Sequence, residues 1–517
     1  MWKKQNQNQE EELFVRNRLR PFILLTVLLS LVLSSLGNDS AYFSFDKNLL
    51  KTQKQILQLQ LDSTKLDLLA CQSSEPNNCA IDFLLHANAF YKAFITENQI
   101  DYAEYIKIRD DALVHYESLS DTAPYKRFVQ SETYLYSAAL EGKNQELYSA
   151  ALYINKANVL ITENHNLFPN YLPNNKALGL LKVYLSTVPD KYNWALRLLG
   201  IEENLNEGLR ILKKLTIHQN DTTYLAGIAK ETAYLYSFAL HHIAKKPAKA
   251  WSSTLSCTKD YKKNLLSAFF RSSLALKLNK TQTVLNILND RPRGDLYENF
   301  YFLDYLQGEA KLRLFDKRAI LNLEHFYKEH KGNNFKQSCL QKMSWYYLLQ
   351  NDTEKAYLLQ QEIKEHSKTL VAKDILAIGY ASKPLPNANL LKIKLLYDVG
   401  AYLRAKDSIA LIDYKLLKNR NEKVEYSYWY GRILEKLGDM DRAARYYEAC
   451  SLFGLESEEY YASYACIYLG DWYLANSDYL NAEKYYRKAL SYKSNKEYVQ
   501  TIEQRAKNGL KTISKRG

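Results

Sequence analysis

The chain has 517 residues, too many for one compact hydrophobic core, so it favours several domains or a repeat architecture. It contains only 17 Gly and 10 Pro and therefore lacks the turn residues of a many-stranded protein, which favours an all-α fold. Its net charge of +13 comes from 70 Lys and Arg against 57 Asp and Glu spread along the chain, so no block specialised for binding nucleic acid is expected.

Residues 1–37 have the pattern of an export segment. Residues 22–36 form an uncharged apolar run of the length of a signal-peptide core, shorter than the ~20 residues that span a bilayer. Small residues before Asn38 predict cleavage there, but three acidic residues in the long polar start leave an N-terminal anchor as the alternative. In both cases the arginines of residues 16–20 predict that the remaining chain is exported to the periplasm or cell envelope.

A helical N-terminal lobe is predicted for residues 38–258. It begins with a long amphipathic helix over residues 49–70 and a partner helix over residues 80–95, joined by a short loop. Cys71 and Cys79 stand at the two ends of this loop. In an oxidising compartment this spacing suits a disulfide that closes the helical hairpin, and two unrelated thiols are the alternative.

Residues 174–215 depart from simple helix pairing. They contain a Gly-bearing helix, a break at residues 186–189, a Leu-Leu-Gly-Ile turn at residues 198–201 and a Gly-Leu pair at residues 208–209. This order resembles a eukaryotic tetratricopeptide family that contains the inclusion body clearance protein. Ile201 replaces the family's aromatic residue, and the acidic Trp- and Cys-containing motifs that follow in that family are not evident. The resemblance implies shared helical architecture and, less directly, a lipid-associated role.

Residues 259–492 are predicted to form about six helical hairpins. The last of them carries Leu469, Gly470 and Tyr473 on its first helix and Ala482, Tyr486 and Ala489 on its second, at the spacings of a tetratricopeptide repeat. The resemblance implies a right-handed α-solenoid, and the whole chain is similar to exported bacterial tetratricopeptide proteins of unassigned function. The predicted turns between paired helices are at residues 279–280, 315–316, 351–353, 400–402, 438–440 and 477–479.

Residues 493–517 are predicted to form a basic capping helix and tail. Cys450 and Cys466 fall on helices that pack together in this repeat type, so a second disulfide and a pair of buried free thiols are both open. Cys257 and Cys339 have no predicted partner.

In tetratricopeptide stacks the first helix of each pair lines the concave face. The positions that project into it here mix aromatic and charged residues, which suits an extended peptide, although any hydrated groove has the same mixture. Tyr428 and Arg432 are expected to avoid the packing positions, which Gly431 and Leu434 occupy. The predicted groove residues are Trp345, Leu348, Leu390, Lys394, Tyr397, Tyr428, Arg432, Glu435, Tyr464 and Asp471.

The sequence signals of common enzyme classes are missing. The nine His are scattered, and no His-Glu-x-x-His, Cys-x-x-Cys, Gly-x-Ser-x-Gly or phosphate-loop pattern occurs. We therefore expect no catalytic residues, no metal and no cofactor. The expected function is a non-catalytic scaffold or assembly factor of the bacterial cell envelope that binds a peptide or protein in the concave groove. The alternative is a helical protein that works at a lipid or membrane surface.

Overall fold

The computed structural model describes residues 40–186, 204–365, 369, 371–454, 459–492 and 498–514. The predicted export segment, residues 1–37, lies outside the described residues, as do residues 187–203 of the irregular stretch. Within the described ranges, no helix is both long and apolar enough to cross a membrane.

The described part of the chain is helical. It contains 24 α-helices and a short 3-10 helix at Tyr414–Leu416, and its one β pairing is an isolated bridge between Tyr42 and Asn78. The all-α prediction is therefore confirmed.

Among the described residues, ten helices precede the first predicted repeat. Consecutive helices pack as pairs: α3 with α4, α5 with α6, α7 with α8, and α9 with α10. Their bounds are α1 (Lys47–Leu57), α2 (Leu61–Ser74), α3 (Cys79–Thr96), α4 (Gln99–Glu117), α5 (Pro124–Lys143), α6 (Leu147–Leu167), α7 (Asn174–Leu185), α8 (Leu205–Thr216), α9 (Leu225–His242) and α10 (Pro247–Cys257).

Fourteen helices follow. They pair in the same way, except that α17 stands alone between two pairs and α24 packs on both α22 and α23, where a capping helix was predicted. Their bounds are α11 (Leu265–Lys277), α12 (Thr281–Asn289), α13 (Phe302–Arg313), α14 (Ala319–Glu329), α15 (Lys336–Leu349), α16 (Thr353–Glu365), α17 (Ala372–Ala381), α18 (Ala388–Asp398), α19 (Tyr402–Ala410), α20 (Arg420–Lys436), α21 (Met440–Phe453), α22 (Tyr461–Ala475), α23 (Tyr479–Ser491) and α24 (Val499–Ser514).

Each of the six predicted turns contains a residue with positive φ, which ends the first helix of the pair. Asp439 and Asp478 then begin the next helix, since each side chain accepts a hydrogen bond from the backbone N–H three residues on. The turn positions are therefore confirmed. The positive-φ residues are Asn279 (57°), Phe315 (59°), Asn351 (64°), Gly400 (77°), Gly438 (85°) and Ser477 (62°).

The N-terminal part is more regular than its sequence indicates. Three of its pairs turn through the same left-handed conformation, at Glu97, Gln145 and Lys245. Because Glu, Gln and Lys are not typical of left-handed turns, these hairpins gave no turn signal. The single helix predicted over residues 49–70 is wrong, since it is divided into α1 and α2, and the first hairpin of the regular series pairs α3 with α4. The regular hairpins therefore begin at residue 79, well before the predicted repeats at residue 259.

Close packing within the hairpins uses the small residues of the first helix. A Cβ added to Gly431 would lie 2.7 Å from the Tyr447 ring, and one added to Gly470 would lie 2.7 Å from the Tyr486 ring. Tyr447 and Tyr486 are almost fully buried. The glycines therefore let the paired helices approach closely enough for the rings to fill the interface.

Two large hydrophobic cores occupy the molecule. The first runs from Leu49 to Met343, past the predicted lobe boundary at residue 258, and the second runs from Leu390 to Ala506. Smaller clusters join them around α15 to α18. The unpaired helix α17 lies at this junction, and it accounts for the long interval between the turns at Asn351 and Gly400.

Candidate binding cleft

A cleft of about 370 Å³ opens where the two cores meet. Helices α13, α15 and α17 form one side of it, α18 and α20 form the other, and a loop at residues 383–387 with two prolines borders it. Leu376, Leu391 and Leu395 provide apolar walls between charged groups. The cleft is thus a product of the inserted helix α17, which separates two otherwise regular stacks.

One end of the cleft is basic around a single buried carboxylate. Arg313 Nη2 donates to Glu309 Oε1 at 2.6 Å, and Lys373 Nζ donates to Oε2 at 2.6 Å. Burial opposes ionisation of Glu309, but the charges of Lys373, Lys342 and Arg313 hold its pKa well below the usual range. Glu309 is therefore a fixed negative charge that is already satisfied by two cations.

Lys342 is the cation at this end of the cleft whose charge is not matched by a carboxylate partner. Its residue is only 6 % exposed, its Nζ donates to Ser338 Oγ at 3.0 Å, and it forms no ion pair with a carboxylate of the described residues. Burial lowers the pKa of Lys342 to about 7; the charge of Glu309 opposes this fall, and Lys373 is among the cations that add to it. A buried ammonium without a carboxylate partner is unfavourable and gains most from an incoming anion.

Trp345 and Lys394, both predicted groove residues, face this end of the cleft. Lys394 Nζ pairs with Asp398 at 3.0 Å and lies 5.0 Å from the centre of the Trp345 ring. Trp345 Nε1 is buried and has no acceptor among the described residues. An indole N–H and the Lys342 ammonium are therefore two donors in the same cleft that lack an anionic partner.

The other end of the cleft is acidic. Glu422, Glu425 and Glu459 line it, and Lys383 pairs with Glu459 at 2.9 Å. Burial raises the pKa of Glu425, whose Oε1 accepts a hydrogen bond from Trp429 at 3.1 Å. Charges of both signs thus line one small space.

The predicted groove continues along α18, α20 and α22, but there its polar groups bind one another. Arg432 donates to Tyr397 Oη at 2.6 Å and to Glu435 at 2.7 Å, and its guanidinium lies 4.0 Å from the centre of the Tyr468 ring. Arg505 of α24 contacts the same Tyr468 ring, with its guanidinium 5.2 Å from the ring centre. These contacts join neighbouring pairs of helices and the capping helix. Few of these polar groups therefore remain to bind a ligand.

Tyr428 does not occupy the position expected for it. The residue is 6 % exposed, and its ring lies 5.0 Å from Tyr461 and 5.1 Å from Trp429, centre to centre. The prediction that Tyr428 avoids packing positions is therefore wrong, because bulky rings from two helices meet there. Gly431 and Leu434 are packing residues as predicted.

The remaining predicted groove residues divide between core and surface. Leu348 and Leu390 are buried in hydrophobic clusters. Tyr464 is half-buried and stacks on Tyr468 with 6.0 Å between ring centres. Asp471 is exposed and accepts from Tyr486 Oη at 2.7 Å.

The structure contains neither predicted disulfide, since all six cysteines are free thiols. Cys79 Sγ lies 3.8 Å from the carbonyl oxygen of His115, and Cys466 Sγ lies 3.8 Å from Tyr492 Oη.

The sequence did not identify Lys342, Glu309 or Arg313 as residues of a binding site. A lysine that points inward has the same helical spacing as one that points to solvent, and the partners of Lys342 come from three separate helices. Comparison with models of known protein families gives no match, and comparison with curated proteins gives no significant similarity.

Proposed function

We propose that the protein is a non-catalytic binding protein of the tetratricopeptide type, and that its cleft holds a carboxylate-bearing peptide segment of a partner protein. The Gly431–Tyr447 and Gly470–Tyr486 contacts and the six left-handed turns support the repeat type. The apolar run of residues 22–36 supports export, so the proposed partner is a protein of the bacterial cell envelope.

The observation that carries this proposal is the pair of buried donors that lack an anionic partner among the described residues, Lys342 Nζ and Trp345 Nε1. A carboxylate accepts from both an ammonium and an indole N–H, and charge-assisted hydrogen bonds of this kind are stronger than neutral ones. The Trp345 ring offers an apolar surface for the adjoining part of the peptide. Glu422, which also lines the cleft, favours a basic group farther along the same segment.

The test begins with peptide binding to the purified chain. Peptides that contain one acidic and one basic residue are screened by fluorescence anisotropy, and the tightest is measured with wild type, Lys342→Met and Lys364→Met. Loss of a charge-assisted contact worth about 1.5–3 kcal/mol should weaken binding about 10- to 100-fold in Lys342→Met. Lys364 is exposed and lies outside the cleft, so Lys364→Met should bind like wild type.

Equal affinities of all three proteins would show that the cleft is not the binding site. Binding to vesicles with anionic headgroups, unchanged by Lys342→Met and without any peptide binding, would favour the lipid-surface alternative and contradict the proposal.

A further inference from the structure

Three side chains of metal-ligating type meet in the first helical hairpin, far in sequence from the cleft. Cys79 is the first residue of α3, and Asp82 lies three residues later on the same face. His115 lies in the last turn of α4, which packs against α3. Cys79 Sγ, one Asp82 carboxylate oxygen and one His115 ring nitrogen all lie within 4.8 Å of one another.

The group is partly enclosed and already oriented. Cys79 is fully buried and Asp82 is 7 % exposed, whereas the His115 side chain is 26 % exposed. Asp82 Oδ2 lies 2.7 Å from His115 Nδ1, and Asp82 Oδ1 accepts from Gln72 Nε2 at 2.9 Å. The three donor atoms therefore have solvent on the His115 side only.

We propose that Cys79, Asp82 and His115 form a binding site for a divalent transition metal, with Zn²⁺ as the fitting ion. Thiolate sulfur, imidazole nitrogen and carboxylate oxygen are the three donor types that Zn²⁺ takes in proteins. Bond lengths of about 2.0–2.3 Å in a tetrahedral site put ligand atoms roughly 3.2–3.8 Å apart, so side-chain shifts of about 1 Å are enough.

Metal binding breaks the hydrogen bond between Asp82 and His115 and displaces the thiol proton of Cys79. The Asp82–His115 hydrogen bond opens to admit the ion, the Cys79 thiol gives its proton to solvent as the metal–sulfur bond forms, and the His115 ring proton moves through solvent to Nε2 so that Nδ1 can bind the metal. Gln72 keeps its hydrogen bond to the other oxygen of Asp82 and so orients the carboxylate, as outer-shell partners of metal ligands do. Water takes the fourth position on the exposed side.

This site excludes the disulfide predicted from the sequence. Cys79 cannot ligate a metal while it is bonded to Cys71, and Cys71 is not among the three clustered residues. The chain therefore contains a matched control: Cys71→Ser rules out the disulfide and keeps the metal site, whereas Cys79→Ser rules out both.

The test uses Co²⁺ as a coloured substitute for Zn²⁺, added to the full chain under reducing conditions. A thiolate ligand gives a sulfur-to-cobalt charge-transfer band, which we expect in wild type and in Cys71→Ser, and which an equivalent of Zn²⁺ should abolish. The band should be lost in Cys79→Ser, and Co²⁺ affinity should fall at least 10-fold in Asp82→Asn and in Gln72→Ala. Circular dichroism checks that each variant is folded.

Absence of the band in wild type at excess Co²⁺ would overturn the proposal without reference to any variant. A band that persists in Cys79→Ser would place the metal on another cysteine and overturn it as well. A band that disappears in folded Cys71→Ser would show a different ligand set and have the same consequence.

Discussion

Lys342 opposes folding of the empty protein. Its ammonium is buried against Ser338 near the cations Lys373, Lys394 and Arg313, and the carboxylates of Glu309 and Asp374 offset them in part. Replacing a poorly compensated buried charge by an apolar side chain of similar size is often neutral or stabilising. A poorly compensated charge in the wall of a cleft favours binding of an anion, because the ligand supplies the missing opposite charge.

Lys342→Met should change how stability depends on pH. The folded-state pKa of about 7 is below the ~10.4 of an unfolded lysine, so between these values the unfolded chain binds more protons. Lys342 therefore makes the free energy of unfolding rise with pH in this window, by at most about 1.4 kcal/mol per pH unit. Lys342→Met lacks this contribution and should be more stable than wild type at pH 7, with an advantage that shrinks toward pH 10.

Urea unfolding at pH 7, 8 and 9 measures this difference, and Lys364→Met should follow wild type at every pH. An advantage of Lys342→Met that stays constant across the three pH values would show that the ammonium is not forced into a desolvated site.

Also at the residue scale, helical spacing in the sequence predicted two of the residues that line the cleft. Trp345 and Lys394 were predicted because they lie at counted positions on first helices, and both line it. The same counting put Tyr428 in a groove, although rings from the neighbouring helix bury it. Periodicity gives the direction of a side chain from its own helix, but burial depends on what the next helix places opposite.

Among the elements, one row of contacts fixes the C-terminal pairs to one another. Tyr397 on α18, Arg432 on α20 and Tyr468 on α22 are joined by the hydrogen bond and the stacking of the guanidinium. Tyr428 packs beside this row against Tyr461. These residues come from the first helices of three successive pairs, so their contacts fix each pair to the next. The glycines, in contrast, allow close packing of the two helices within a pair.

Tyr428→Ala should destabilise the C-terminal core strongly. Removing a buried aromatic side chain costs about 3–5 kcal/mol, because it combines lost burial with a cavity. The urea midpoint should therefore fall well below that of wild type. Tyr148→Ala is the control, since Tyr148 is 77 % exposed and its replacement should change the free energy of unfolding by no more than about 0.5 kcal/mol. A Tyr428→Ala midpoint equal to that of the control would mean that the ring is not in the core.

Turn chemistry explains which elements were predictable. Asn279, Asn351, Gly400 and Gly438 are residue types that adopt left-handed conformations readily, so the C-terminal turns were visible in the sequence. Glu97 and the other N-terminal turn residues adopt the same conformation without the same signal. Helix α17 was not among the predicted elements, because an unpaired helix breaks the repeat interval.

At the scale of the whole molecule, Glu97 joins parts of the chain that are distant in sequence. It lies in the turn between α3 and α4, and its Oε2 accepts from Asn334 Nδ2 at 2.8 Å, 237 residues away. Its Oε1 lies 3.0 Å from Lys143 Nζ and 3.6 Å from His330 Nε2. Burial alone would raise the pKa of Glu97, but the interactions of its carboxylate with His330 and Lys143 hold this pKa at about 2.

Glu97→Gln should therefore reduce acid sensitivity as well as stability. A folded-state pKa of about 2 is below the ~4.3 of an unfolded glutamate, so the carboxylate stabilises the fold fully above pH 4.3 and loses this contribution as the pH falls toward 2. The contribution is at most about 3 kcal/mol. Wild type should exceed Glu97→Gln in urea stability at pH 6, and the gap should narrow at pH 4 and pH 3.

Glu146→Gln, a change at an exposed glutamate, should track wild type over the same pH range. A gap between wild type and Glu97→Gln that is as large at pH 3 as at pH 6 would show that the ionised carboxylate is not what joins these segments.

The central claim is that Lys342 meets a carboxylate of a bound peptide, and a double-mutant cycle tests it most directly. The tightest peptide is made again with its acidic group replaced by the corresponding amide, and both peptides are titrated against wild type and Lys342→Met. We predict that losing the carboxylate weakens binding to wild type about 10- to 100-fold and binding to Lys342→Met hardly at all, because the contact is already gone. Equal losses with both proteins would contradict the claim, since the carboxylate would then be bound elsewhere.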